Sequence, residues 1–122
     1  MNISDAESTV MAVLWQRQPL SSEEVVAALA GEQDWHETTI KTLLNRLLKK
    51  GAITAERDGR RYLYSPVLSR EAWLTQASRG FLDRLFDGRV APLVAHFSEQ
   101  KALSRKDIAE LRALMEKLDG KP

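Results

Sequence analysis

Thr38, Thr39, Lys41, Thr42, Asn45, Arg46, Lys49 and Lys50 crowd thirteen positions of this chain, and Arg57, Arg60 and Arg61 follow within the next eleven. These side chains hydrogen-bond base edges or neutralise phosphate, and none is a strong nucleophile at neutral pH. A Ser/His/Asp set can be picked from any chain of this length. Here no nucleophile elbow, glycine-rich phosphate loop or metal cluster organises one. The expected chemistry is therefore binding, without catalysis, cofactor or metal.

These residues need a helix and a hairpin to position them. Ile40, Leu43, Leu44, Leu47 and Leu48 recur at three- and four-residue spacing, which predicts one apolar helix face ended by Gly51. The polar face is short-chained at its N-terminal end and cationic toward its C-terminal end. A helix in a DNA major groove needs that gradient, because its first turns approach base edges while its flanks meet phosphates. Two runs, Ala52–Arg57 and Arg60–Pro66, are joined at Asp58-Gly59, a hairpin signal. A cationic helix face is most often simply solvated, and Lys-Lys-Gly is an ordinary helix ending. The basic hairpin tip and two short preceding helices favour a winged helix that binds double-stranded DNA. A winged-helix protein-interaction module without specific DNA binding is the alternative.

The chain has 122 residues, 29% charged and 43% hydrophobic, within the range of soluble globular proteins. Its formal net charge of +1 hides an uneven distribution. Residues 1–35 carry −5, residues 36–66 carry +4 and residues 67–122 carry +2. The positive excess thus lies where the helix and hairpin are expected, which argues against the interaction-module reading. With no cysteine, disulfides, thiolate metal sites and a cysteine nucleophile are excluded. His36 and His96 are far apart in sequence and make no metal-binding pair. No apolar run approaches membrane-spanning length and no secretory signal opens the sequence, so a cytoplasmic location is expected.

From the start, Ser4-Asp5-Ala6-Glu7 fits a capping box, and its helix runs to about Gln16 with Val10, Val13 and Leu14 inward. Leu20 is placed to pair with the later hairpin. Ser21-Ser22-Glu23-Glu24 caps a second helix with Val25, Val26 and Leu29 inward and Gly31 as its stop. Trp35 staples the start of the third. After Pro66, Ser69 caps a fourth helix in which Trp73, Ala77, Phe81 and Leu85 fall at i+4 steps, with Leu82 beside them. Val94 and Phe97 belong to a shorter amphipathic helix. Ser104 caps a last one striped by Ile108, Leu111, Leu114, Met115 and Leu118. The expected fold is mainly α with a small β-hairpin: a winged helix-turn-helix domain over 1–67 and a helical dimerisation domain over 68–122. Three such helices expose much of their apolar stripe alone, and a second copy of the chain is the expected cover.

Together these segments resemble the BlaI/MecI penicillinase repressors, part of a larger group that includes the copper-responsive CopY repressors. The resemblance rests on ISDAE at 3–7, VMAVLW at 10–15, W-x-x-x-T-I-x-T-L at 35–43, RL-x-KKGA at 46–52 and GR-x-Y-x-Y-x-P at 59–66. FLDRLFDG at 81–88, PLVAHF at 92–97 and LSRKDIAELRALMEKL at 103–118 extend it over nearly the whole chain. It implies a homodimeric repressor on a dyad-symmetric operator with TACA- and TGTA-like arms. It also implies release when a β-lactam sensor or protease leads to cleavage in the dimerisation domain. The family's recognition positions fall on Thr39, Lys41, Thr42 and Arg46, and its cleaved Asn-Phe bond on His96-Phe97, where histidine in place of asparagine leaves two readings open: cleavage with altered recognition, or no cleavage. The chain departs from the family at His36-Glu37-Thr38, where Ser-Pro-Lys is usual. It also lacks the cysteine pair of the copper branch.

Overall fold

The computed structural model describes residues 1–120; Lys121 and Pro122, the last two of the expected second domain, lie outside the described residues. Helices α1 (Asp5–Gln16) and α2 (Ser22–Leu29) each begin with a reciprocal capping box. The Ser4 hydroxyl accepts from the Glu7 N–H at 3.1 Å, and the Glu7 carboxylate accepts from the Ser4 N–H at 2.7 Å. Ser21 and Glu24 repeat the arrangement at 3.2 and 2.9 Å. Four otherwise orphaned N–H groups are thereby satisfied. The Ser21 backbone N–H, then its hydroxyl, hold the Glu24 carboxyl below its ordinary value. α2 stops at Leu29 with Ala30 as its cap, one residue before the expected Gly31.

Helix α3 (Glu37–Lys50) ends where Gly51 takes the left-handed conformation, φ +78°. There the Gly51 N–H meets the carbonyls of Leu47 and Leu48. A residue with a Cβ resists that conformation, so the glycine fixes where the helix stops. Strands β1 (Ile53–Asp58) and β2 (Arg61–Pro66) pair antiparallel from Ile53↔Pro66 to Asp58↔Arg61. The two-residue turn is therefore Gly59-Arg60, one residue past the expected bend, with Gly59 at φ +65° supplying the positive angle. Leu20 bridges Tyr64 through two backbone hydrogen bonds of 3.1 and 2.7 Å, tying the α1–α2 connection to the hairpin.

The apolar faces of these elements meet in one core. Val10, Met11 and Leu14 of α1 pack with Val25 and Leu29 of α2 and with Ile40, Leu43, Leu44 and Leu47 of α3. Leu20, Ala52 and Ile53 close it, while Trp35 and Leu48 pack at its margin. Each such side chain, fully buried, contributes roughly 1.5–3 kcal/mol.

Helices α4 (Arg70–Phe86), α5 (Val90–Glu99) and α6 (Arg105–Asp119) follow. The chain divides into two compact units inside α4, between Thr75 and Gln76. The expected boundary at 67/68 lies at the end of the hairpin. The first turn of α4 belongs with the first unit because Trp73 packs against Trp15 at 5.4 Å between ring centroids. The Trp15 indole N–H also donates to the Leu68 carbonyl at 2.9 Å. In the second unit no described residue is buried.

Candidate nucleic-acid interface

Burial of Ile40, Leu43, Leu44 and Leu47 turns the other side of α3 outward, and every sequence-predicted contact on it is exposed. Thr38, Thr39, Thr42 and Arg46 share one shallow concavity of about 230 Å³, floored in part by Leu43. They therefore form a contiguous surface along successive turns of the helix. The Thr42 hydroxyl donates to the Thr38 carbonyl at 2.9 Å. Its proton is thus committed, leaving lone pairs to accept from a base amino group and a methyl to meet a thymine methyl. Lys41 lies 3.3 Å from Glu37, an exposed i,i+4 pair at the helix N-terminus. Such a pair is worth a few tenths of a kcal/mol, little enough for phosphate to displace it. Asn45, Arg46 and Lys49 have no side-chain partner among the described residues.

The hairpin tip is more constrained than its sequence suggests. The Arg57 Nε donates to the Gly59 carbonyl at 3.2 Å, and its guanidinium lies 5.7 Å from the Tyr62 ring centroid. Arg61 lies 3.4 Å from the Asp58 carboxylate. Both guanidinium groups keep spare donors, and Arg60 in the turn has no side-chain partner among the described residues.

Lys50 is held differently from the rest of the set. Its ammonium donates to Glu7 Oε1 at 2.6 Å and to the Asn2 carbonyl at 2.8 Å, so it is not a free cation on the α3 face. Glu7 is 1% exposed. The local sequence around Glu7 signals only its place in the capping box. The partner that keeps it charged is 43 residues away, and no local pattern joins the two. Burial opposes ionisation of Glu7, but the Lys50 ammonium and the Ser4 N–H outweigh it and hold the carboxyl below its ordinary value.

A second, apolar surface occupies the helices of the second unit. Phe81, Leu85, Phe97, Ile108, Leu114, Met115 and Leu118 are 39–71% exposed. Ala77 is exposed, and Leu82, Val94 and Leu111 are half-buried. Trp73, expected on the same stripe, instead packs inside the first unit on Trp15. Among the described residues the backbones of α4, α5 and α6 do not pack closely on one another, and side chains bridge them, as Phe86 of α4 does to His96 of α5. His96 sits between Phe86 and Phe97, at 6.3 and 5.6 Å between centroids, near the C-terminal end of α5. Among the described residues no three His, Cys, Asp or Glu cluster to hold a metal, and no helix is long and apolar enough to cross a membrane.

A family model described as penicillinase repressor matches residues 3–117. The chain is 36% identical over 114 residues to the penicillinase repressor of Bacillus licheniformis, covering 93% of this chain and 89% of that one. To the methicillin resistance regulatory protein MecI of Staphylococcus aureus (strain N315) it is 31% identical over 115 residues, 94% of each. Among solved structures, the DNA-binding domain of the repressor BlaI superposes with a TM-score of 0.54 at 38% identity, covering 58% of this chain and 87% of that domain. The Bacillus licheniformis BlaI monomeric form in complex with the blaP half-operator gives 0.53 at 38% identity, over 59% and 88%.

Proposed function

The chain belongs to the penicillinase repressor family, and on that premise we propose that it works as a homodimer that reads a dyad-symmetric operator through α3 and the hairpin. It is a DNA-binding transcriptional repressor and not an enzyme. The observation that carries the reading is the contiguous surface of Thr38, Thr39, Thr42 and Arg46 on the exposed side of a helix followed by a basic hairpin. The small threonines let the helix approach base edges, where Thr39 and Thr42 take the specificity-reading role. Arg46 and Lys49 take phosphates on the flank, joined by Lys41 once it leaves Glu37. Asn45 adds a donor and acceptor to the same face. Arg60, with Arg57 and Arg61 behind it, meets the backbone or the adjacent minor groove.

Dimerisation through residues 68–122 is supported by the second unit, whose apolar side chains lack an interior of their own. Ala77, Phe81, Leu82, Leu85, Val94, Phe97, Ile108, Leu111, Leu114, Met115 and Leu118 supply the contact. A patch of this kind on a soluble chain marks an interface, and a two-fold partner doubles the phosphate contacts. The repressor acts in the cytoplasm. A β-lactam sensor or protease releases it by cutting at His96-Phe97. That bond lies within the last turn of α5, where helix ends open locally at low cost.

The test combines sedimentation with DNA binding on the whole chain. The wild type sediments as a dimer and Leu118→Asp shifts toward monomer, with a matching loss of operator affinity. For about 6–10 phosphate contacts, affinity falls roughly 10³–10⁵-fold between 50 and 200 mM salt. A monomer that binds with the same affinity as the wild type overturns the dimer reading.

A further inference from the structure

Lys50 is the last residue of α3, and Glu7 is the third of α1. A single carboxylate oxygen, Glu7 Oε1, accepts from the Lys50 ammonium at 2.6 Å and from the Ser4 N–H at 2.7 Å. The ammonium reaches on to the Asn2 carbonyl at 2.8 Å. Three backbone segments therefore converge on one ion pair: the residues leading into α1, the first turn of α1 and the end of α3. Glu7 is almost fully buried, and its other oxygen, Oε2, has no partner among the described residues.

We infer that Glu7 is a positioning residue for DNA recognition, acting through Lys50 to fix the end of α3 against the start of α1. The inference rests on the reading of α3 as the recognition helix. Elsewhere α3 packs on α1 and α2 through the apolar side chains of Ile40, Leu43, Leu44 and Leu47. Apolar packing is non-directional and tolerates small rotations and slides of one helix on another. A charge-assisted hydrogen bond to a carboxylate itself fixed by a capping box has a defined direction. It sets the roll of α3, and the roll decides which of Thr38, Thr39, Thr42 and Arg46 enter the groove. Burying the Glu7 carboxylate is costly even beside the part-exposed Lys50 ammonium, and its return is in fixing one arrangement over its neighbours. Lys49, one residue earlier and without a side-chain partner among the described residues, stays available to phosphate beside Arg46.

The test uses the full chain and two labelled duplexes, one with TACA and TGTA arms and one with the arms scrambled. Glu7→Gln alone, and Glu7→Gln with Lys50→Met, remove the pair by two routes; the double variant leaves no buried unpaired charge. Both are expected to lose about tenfold in the ratio of specific to scrambled affinity, with the salt slope of the double variant unchanged. Lys50→Arg, which keeps the charge and donors, retains most of the ratio. Lys49→Ala is the comparator: its slope falls by about one and its ratio stays. A double variant that melts lower but keeps the wild-type ratio makes the pair structural only and overturns the inference. So does a slope lowered by about one in the double variant, which makes Lys50 a phosphate contact. A wild type that does not prefer the armed duplex overturns the operator reading instead, and the inference with it.

Discussion

Arg46 carries the simplest prediction at the scale of one residue. It is cationic, exposed, unpartnered among the described residues and next to the threonine surface. On the proposed reading a guanidinium in that place takes a phosphate and releases one counterion. Arg46→Ala is therefore expected to weaken binding to every duplex alike and to lower the slope of log affinity against log salt by about one, read by anisotropy titration across salt. An unchanged slope removes the phosphate role. Glu7 makes a prediction of a different kind. Its carboxyl titrates lower in the folded chain than in the unfolded one, despite burial, because Lys50 and Ser4 favour the charged form. The unfolded chain then binds the proton more readily, so this stabilisation is complete above the unfolded pKa and is lost as pH falls through the folded one. Denaturation at a series of pH values is expected to show Glu7→Gln at a disadvantage near neutrality that narrows in acid. A gap that stays constant with pH contradicts the charged pair.

The elements were largely legible because their signals are local. Capping boxes at Ser4 and Ser21, the leucine spacing of α3, Gly51 and the Asp58-Gly59 pair each act within a few residues, and each marked its element to within a residue or two. The turn slipped by one because Asp58 can pair with Arg61 and leave the positive φ to Gly59. Contacts between distant segments were less visible. Nothing near Lys50 announces Glu7, and nothing in the i+4 stripe of α4 announces that Trp73 leaves it for Trp15. Gly51 tests the local argument. A Cβ there meets nothing within 4 Å, so only the backbone angle, φ +78°, resists it. Gly51→Ala is expected to cost about 1 kcal/mol in urea denaturation, with operator affinity intact where the protein is folded. A neutral or stabilising effect contradicts the left-handed cap.

At the scale of the whole molecule, the two units carry different chemistry. The first has a closed core and an exposed polar helix face; the second has apolar faces and no described residue buried. A DNA reader joined to an apolar surface without an interior is the division of labour expected of a repressor that pairs to read two half-sites. Charge follows the same division, with the excess of +4 over residues 36–66 and −5 over the residues before them. On the proposed reading α3 presents sequence-reading side chains to two related half-sites. The most direct measurement is capture of fragmented genomic DNA by the purified chain, followed by sequencing of the retained fragments. Enrichment of a short inverted repeat with TACA- and TGTA-like arms is expected. A folded dimer that retains fragments without any enriched sequence would contradict that reading.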